Sequence, residues 1–314
     1  MPWRCFYGLR LWYYNGMEMN VTSPKAVKAL MEGCGIAPLK KYGQNFLIDG
    51  NIADKIVQAA APEGACVLEV GPGLGALTQR LLKRGCTVAA WEIDAGLCRA
   101  LTDMLGGEER FHLFHEDFLK ADLKRDLLPL FGDNEIYVAA NLPYYITSPC
   151  IMKLLESGLA IPRITVMVQK EVAQRVCAAP GSADYGAFSA AVQFFAEPKL
   201  LMTVSAPCFY PQPEVSSAVI SLSLRDSLPG DPAYYLAAVR MLFAMRRKTV
   251  RSNLRQAAGL SAEEADTLLT EAGINGDARA ENLSVSDFVS LSVVIRKNLK
   301  KFDFAGRIKG FDGE

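Results

Sequence analysis

Short apolar runs, each closed by a charged or turn-forming residue, recur along the chain from Ala65 to about Leu224. Cys66–Val70, Val88–Trp91, Phe111–Phe114, Ile136–Ala140 and Ile164–Val168 alternate with segments long enough to be helices. Such runs read as buried strands, and their alternation with helices predicts βαβ units around a parallel sheet. Two further runs, Leu200–Val204 and Ala218–Leu224, follow a helical stretch and are separated by the Pro-rich Cys208–Glu214. They predict an antiparallel pair that completes the sheet. Beyond Arg225 the strand pattern stops. Helices alone are expected there: Ala233 to about Ala258, Ser261 to Ala272 with a Ser261/Glu264 capping box, and Ser286 to about Arg296.

Before the sheet, Ser23-Pro24 predicts a helix start and Gly33 its end, since serine suits the N-cap and proline the first helical position. A second helix is expected from about Asn51 to Ala61. Between them Lys40-Lys41-Tyr42-Gly43-Gln44-Asn45-Phe46-Leu47 is basic and aromatic together. It is either a solvated loop with a buried Phe46 or a lid over a ligand. The stretch up to Met19 is aromatic-rich without periodicity, and we read it as an appendage or an over-called start, with Met17 and Met19 as alternatives. The expected organisation is therefore an appendage and leading helix over 1–35, an α/β domain over 36–227 and a small all-helical domain over 228–314. Pro229-Gly230 breaks the chain at that boundary.

With 314 residues, half of them hydrophobic and 22% charged, the chain can bury a full core. No run approaches the length of a membrane helix, and the start lacks the pattern of a secretion signal, so a cytoplasmic protein is expected. The eight cysteines are scattered without a C-x-x-C pair, as reduced core thiols would be. His112 and His115 are the only histidines, and no ligand cluster surrounds them; no metal is expected. The formal net charge of zero argues against a strongly basic nucleic-acid binder but leaves room for a local basic patch.

Candidate chemistry gathers at the strand ends. Glu69-Val70-Gly71-Pro72-Gly73-Leu74-Gly75-Ala76 follows the first strand and runs into a helix at Leu77–Arg84. Its glycines permit a tight turn and close approach of a ligand to backbone. Gly71, Gly73 and Ala76 also match the spacing of a dinucleotide site. Pro72 inside the loop and the Glu69 carboxylate before it favour a cationic or amino-bearing ligand over a pyrophosphate. Glu92 ends the second strand, where a ribose-binding acid belongs in either kind of nucleotide site. Asp117 follows the third, beside Phe118, where a carboxylate could take an adenine amino group while the ring packs on the base. Asn141-Leu142-Pro143-Tyr144-Tyr145 leaves the fourth strand with an amide, a stiffening proline and two aromatics, which meet the needs of a purine. Arg240, Arg247, Arg251 and Arg255 recur at seven- and four-residue steps, and with Arg246 and Lys248 they predict a basic helix face that is either solvated or binds phosphate.

The set resembles S-adenosylmethionine-dependent methyltransferases, and the Asn141–Tyr145 turn resembles their amino-methylating branch. More closely, Gly43–Leu47, Glu69–Gly75, Asn141–Tyr145, Val168–Val172, Phe209–Pro213 and Arg246–Thr249 are similar to the small-subunit (16S) rRNA adenine dimethyltransferase family, over about Leu39 to Leu291. Tyr145 stands where members vary, and the first eighteen residues or so have no counterpart. The resemblance implies a Rossmann-like class I methyltransferase sheet with a small C-terminal helical domain. It implies dimethylation of N6 on two adjacent adenosines in the 3′-terminal hairpin loop of small-subunit rRNA, using S-adenosyl-L-methionine. The implied partner is small-subunit rRNA or the immature subunit, with no membrane, and a monomer is expected.

By the same resemblance, Asn45 and Leu47 would close over the cofactor, Gly71 would border its methionine part, Glu69 and Gly73 would belong to the cofactor site, Glu92 would bind the ribose hydroxyls and Asp117 with Phe118 the adenine. Asn141, Leu142, Pro143 and Tyr144 would form the catalytic turn, with Asn141 linking cofactor and target. Rival readings are a large-subunit rRNA methyltransferase of the macrolide-resistance type, a nicotinamide-dependent oxidoreductase and a non-catalytic ribosome-assembly factor. Arg246–Thr249 and Arg279–Ser284 favour the small-subunit reading.

Overall fold

The computed structural model describes residues 21–36, 44–245 and 247–298. Two compact units divide them: one holds the residues up to Ala173 together with Lys199–Leu224, the other Gln174–Pro198 together with those from Arg225 onward. The strands are β1 (Phe46–Leu47), β2 (Cys66–Val70), β3 (Thr87–Glu92), β4 (Phe111–His115), β5 (Ile136–Asn141), β6 (Arg163–Gln169), β7 (Ala196–Val204), β8 (Phe209–Tyr210) and β9 (Ser217–Leu224). The helices are α1 (Pro24–Cys34), α2 (Gly50–Ala60), α3 (Thr78–Lys83), α4 (Ala95–Leu105), α5 (Leu123–Phe131), α6 (Thr147–Leu155), α7 (Lys170–Val176), α8 (Ala187–Phe195), α9 (Pro232–Phe243), α10 (Val250–Ala258), α11 (Ala262–Glu271) and α12 (Val285–Lys297).

Every apolar run read as a strand is one. They form a sheet in the order β4-β3-β2-β5-β6-β9-β7. It is parallel from β4 through β6, and β9 is antiparallel to β6. The chain builds outward from β2 to β4 on one side and then crosses to β5 on the other. The carboxyl ends of β2 and β5 therefore border a switch point, where open α/β sheets bind ligands. Helix α2 forms because Asp49 accepts the Ile52 N–H at 3.1 Å and because Ala53, Ile56, Val57 and Ala60 recur on one face. Those side chains share one core with Leu81 and Leu82 of α3 and with Val67, Val88 and Ala90 of the sheet. A two-stranded antiparallel pairing, Phe46 with Tyr210 and Leu47 with Phe209, joins β1 to β8.

In the second unit Tyr235 of α9 stacks on Phe194 of α8 at 4.0 Å between ring centroids, and its hydroxyl donates to the Ala190 carbonyl at 3.0 Å. Phe288 of α12 meets Tyr235 edge-on at 6.0 Å. Helix α8 is thus a core element of the helical unit, whereas its place in the sequence suggested the α/β domain. Its residues are apolar nearly all round, and such a helix must be covered on several sides.

The single helix expected from Ala233 to about Ala258 is broken. Helix α9 stops at Phe243, and α10 starts at Val250 with Thr249 accepting the Ser252 N–H at 3.3 Å. The buried Asn253 amide accepts the Met245 N–H at 3.0 Å and donates to the Met245 carbonyl at 3.2 Å. An N-cap and a buried amide that satisfies the turn's backbone outweigh helix propensity here. The spacing of Arg240, Arg247, Arg251 and Arg255 therefore does not run along one helix face.

Candidate active site

The loops after β2, β3, β4 and β5 line one cleft in the first unit, with about 1040 Å³ of open space including the solvent at its mouth. Asn45, Leu47, Glu69, Gly71, Gly73, Glu92, Asp117, Phe118, Asn141, Leu142, Pro143 and Tyr144 all border it. Its position follows from register, since Val70 lies beside both Trp91 and Ala140. The Gly71 N–H donates to the Trp91 carbonyl at 2.9 Å, which keeps the glycine loop tied to β3 as it turns. Gly73 has φ +60°, and a Cβ there would stand 3.2 Å from the Phe46 ring. Glycine at this point lets the β1 segment close down on the loop.

Glu92 is buried. It accepts the Gly73 N–H at 3.2 Å and the Asp94 N–H at 2.9 Å, yet burial pushes its carboxyl up to about 7. Asp94 caps α4 through the Gly96 and Leu97 N–H groups and accepts from the Gln44 side chain at 3.3 Å. Glu69 accepts the Thr78 hydroxyl at 2.7 Å, and burial, seconded by the nearby Glu92 charge, pushes it up to about 8. It lies behind the cleft wall, buried and already hydrogen-bonded. Asp117 starts a single 3-10 turn, Phe118–Lys120, by accepting the Leu119 N–H at 3.0 Å. Phe118 meets Trp91 edge-on at 6.1 Å, and Trp91 stacks on Phe114 at 4.4 Å, giving the cleft an aromatic wall.

Asn141 ends β5 opposite Met167, and its Nδ2 donates to the Asn45 carbonyl at 3.1 Å. With the nitrogen held there, Oδ1 is the end of the amide left to accept. The Leu142 N–H donates to the Met167 carbonyl at 3.0 Å, so the turn stays registered to β6. The Tyr144 hydroxyl shares a hydrogen bond of 2.8 Å with Ser217, a buried residue of β9 opposite Gln169. Tyr145, by contrast, is 51% exposed.

Three of these features escape a reading of the sequence. Ser217, the Gln44–Asp94 contact and the β1–β8 pairing each join segments far apart in the chain. Only Ser217 left a signal, as a hydroxyl at the head of a buried apolar run. The residues expected to meet phosphates lie in the second unit. Arg247 and Lys248 are exposed in the turn before α10, Arg255 is exposed on it and Arg240 is half-buried on α9. The Arg251 guanidinium is paired with Asp266 and Asp277, and Arg246 lies outside the described residues. Among the described residues no acidic, histidine or cysteine cluster could hold a metal, and no helix is long and apolar enough to cross a membrane.

An open sheet, parallel over its central strands, with a glycine loop after β2, carboxylates at the ends of β3 and β4 and an Asn-Leu-Pro-Tyr turn at the end of β5 defines a Rossmann-like class I methyltransferase. The chain belongs to the ribosomal RNA adenine dimethylase family, whose profile matches residues 39–297. It is 43% identical over 291 residues to the ribosomal RNA small subunit methyltransferase A of Bacillus licheniformis, covering 90% of this chain and 100% of that one. Against the protein of the same name from Shouchella clausii it is 42% identical, covering 91% and 99%. Among solved structures, a dimethyladenosine transferase from Plasmodium falciparum matches with a TM-score of 0.67 at 24% identity, covering 79% of this chain and 96% of that one. The 23S rRNA methyltransferase ErmE matches with a TM-score of 0.61 at 25% identity, covering 80% and 100%.

Family and fold imply use of S-adenosylmethionine, and the cleft suits it chemically. Its polar side chains are mostly acceptors, the carboxylates of Glu92 and Asp117 and the amide oxygen of Asn141, matched to a ligand rich in hydroxyl and amino donors. The aromatic wall at Phe118 suits a base.

Proposed function

We propose that this chain transfers methyl groups to N6 of two adjacent adenosines in the 3′-terminal hairpin loop of small-subunit rRNA, giving dimethyladenosine. The observation that carries the mechanism is the Asn141 amide held by Asn45, at a strand end beside the glycine loop. An adenine amino nitrogen is a poor nucleophile because its lone pair is delocalised into the ring. Accepting its N–H bonds on Asn141 Oδ1 and the Leu142 carbonyl, two in the first transfer and the one that remains in the second, localises that pair on nitrogen. Tyr144, held through Ser217, stacks on the extruded base. S-adenosylmethionine, when bound, supplies an electrophilic methyl on its sulfonium. Glu92 would hold its ribose hydroxyls and Asp117 its adenine amino group, Asn45 and Leu47 would close over it, and the Gly71–Gly73 loop would border its methionine part. No strong general base is required, because the amino proton becomes acidic once the nitrogen is alkylated.

The substrate side of this reading is supported by curated relatives at 41–43% identity, all named for the small subunit. The large-subunit enzyme ErmE is the more distant match at 25%. In the second unit, Arg247, Lys248 and Arg255 supply charge for phosphates, and the immature small subunit is the partner. Labelled cofactor with unmethylated small subunits, followed by mass-spectrometric mapping, tests the whole. Two adjacent dimethyladenosines near the 3′ end are expected. With unmethylated large subunits run in parallel, label confined to large-subunit rRNA, or absent from small subunits, overturns it.

A further inference from the structure

Helix α6 begins where the Asn141–Ile146 turn ends, and near its end Lys153 reaches the loop after β4. The Lys153 ammonium donates to the Leu119 carbonyl at 2.9 Å and the Ala121 carbonyl at 2.6 Å, and it lies 5.6 Å from the centroid of the Phe118 ring. The N–H of the same Leu119 donates to Asp117 Oδ1 at 3.0 Å. Leu119 thus joins Lys153 to Asp117, carbonyl to ammonium on one side and N–H to carboxylate on the other.

A single 3-10 turn has too few internal hydrogen bonds to hold itself, and the carbonyls at its end need donors from elsewhere. An ammonium supplies charge-assisted ones, and its place against an aromatic ring adds a cation–π attraction. The staple spans Asp117 and Phe118 on one side and, through α6, the catalytic turn on the other. No step of the proposed methyl transfer uses Lys153.

We propose that Lys153 is the positioning residue for the adenine end of the cofactor site. By fixing Leu119 and Phe118 it sets the direction of the second carboxylate oxygen of Asp117, and with it the discrimination between adenine and a base lacking the 6-amino group. This inference rests on the assignment of Asp117 to that amino group.

The test measures dissociation constants of the full chain for S-adenosylhomocysteine and for its 6-oxo analogue S-inosylhomocysteine by calorimetry, with melting temperatures alongside. Asp117→Ala should lower the preference for the adenine ligand about tenfold or more, as for loss of a charged hydrogen bond. Lys153→Met should lower it several-fold in the same direction while leaving the 6-oxo ligand's affinity nearly unchanged. If Lys153→Met fails to fold, Lys153→Gln carries the same comparison. An unchanged preference in the lysine variant beside a reduced one in Asp117→Ala overturns the role of Lys153, as does equal weakening of both ligands. An unchanged preference in Asp117→Ala removes the assignment of Asp117, and this inference with it.

Discussion

Asn141 and Asn45 meet across nearly a hundred residues of chain: the side-chain amide of one donates to the backbone carbonyl of the other at 3.1 Å. The contact closes the β1 segment against the strand end and at the same time orients the amide that the proposed mechanism uses as an acceptor. Asn141→Ala removes both. Single-turnover methylation should fall on the order of a hundredfold or more, the usual cost of one preorganised transition-state contact, while RNA binding is retained. Asn141→Asp keeps the size but sets a carboxylate against the Asn45 carbonyl, and it should be impaired as well. Near-normal single-turnover rates in either variant would remove the assigned role.

The Tyr144–Ser217 pair predicts a non-additive effect. If the hydroxyl contact is what holds the ring in stacking position, either Tyr144→Phe or Ser217→Ala breaks it, and the second change adds little. The coupling in a double-mutant cycle on the methylation rate should be about 0.5–1.5 kcal/mol. Strictly additive losses would mean that the ring is held by packing alone.

How much of this was legible in the sequence follows from the range of the forces involved. Apolar runs fix the strands locally, and the acids that close them, Glu92 and Asp117, could be placed at the sheet edge from the pattern alone. The β1–β8 pairing could not, because its two-residue strands carry no periodicity and owe their place to each other. Ser217 and Lys153 were missed for the same reason: each acts on a residue brought near by the fold. The helix break between Phe243 and Val250 contains neither glycine nor proline. It depends on Asn253, whose burial is a tertiary fact.

Glu69 predicts a pH dependence of stability. Its folded carboxyl is raised to about 8 by burial, from an ordinary value of 4.5. Between those values the unfolded chain has lost the proton and the folded chain keeps it, so this group's contribution is fully present below about 4.5 and declines as pH rises to about 8. Glu92, raised to about 7, acts in the same direction. Glu69→Gln keeps an acceptor for the Thr78 hydroxyl and does not titrate. Without cofactor, it should match the wild type near pH 5 and exceed its melting temperature at pH 8. Parallel curves for the two proteins across that range would contradict the buried, protonated carboxyl.

Cations that resemble one another in sequence differ in what the fold gives them as partners. Arg251 is held by Asp266 and Asp277, whereas Arg247 and Lys248 stand exposed in the turn before α10. A cation already neutralised by two carboxylates has little net charge to offer a phosphate, and using it for RNA means breaking both pairs. Exposed cations release counterions on binding and so set the salt dependence. Changing Arg247 and Lys248 together to alanine should therefore weaken binding to small-subunit rRNA and flatten the log–log salt slope by about 0.7–0.9 for each phosphate that is no longer neutralised. Arg251→Ala should lower the melting temperature, because it leaves Asp266 and Asp277 without their partner, and it should leave the slope close to wild type. Cofactor affinity should not move in either variant. Equal flattening by both would show that Arg251 gives up its aspartates for RNA, and an unchanged slope in the double variant would leave the exposed turn with no part in phosphate binding.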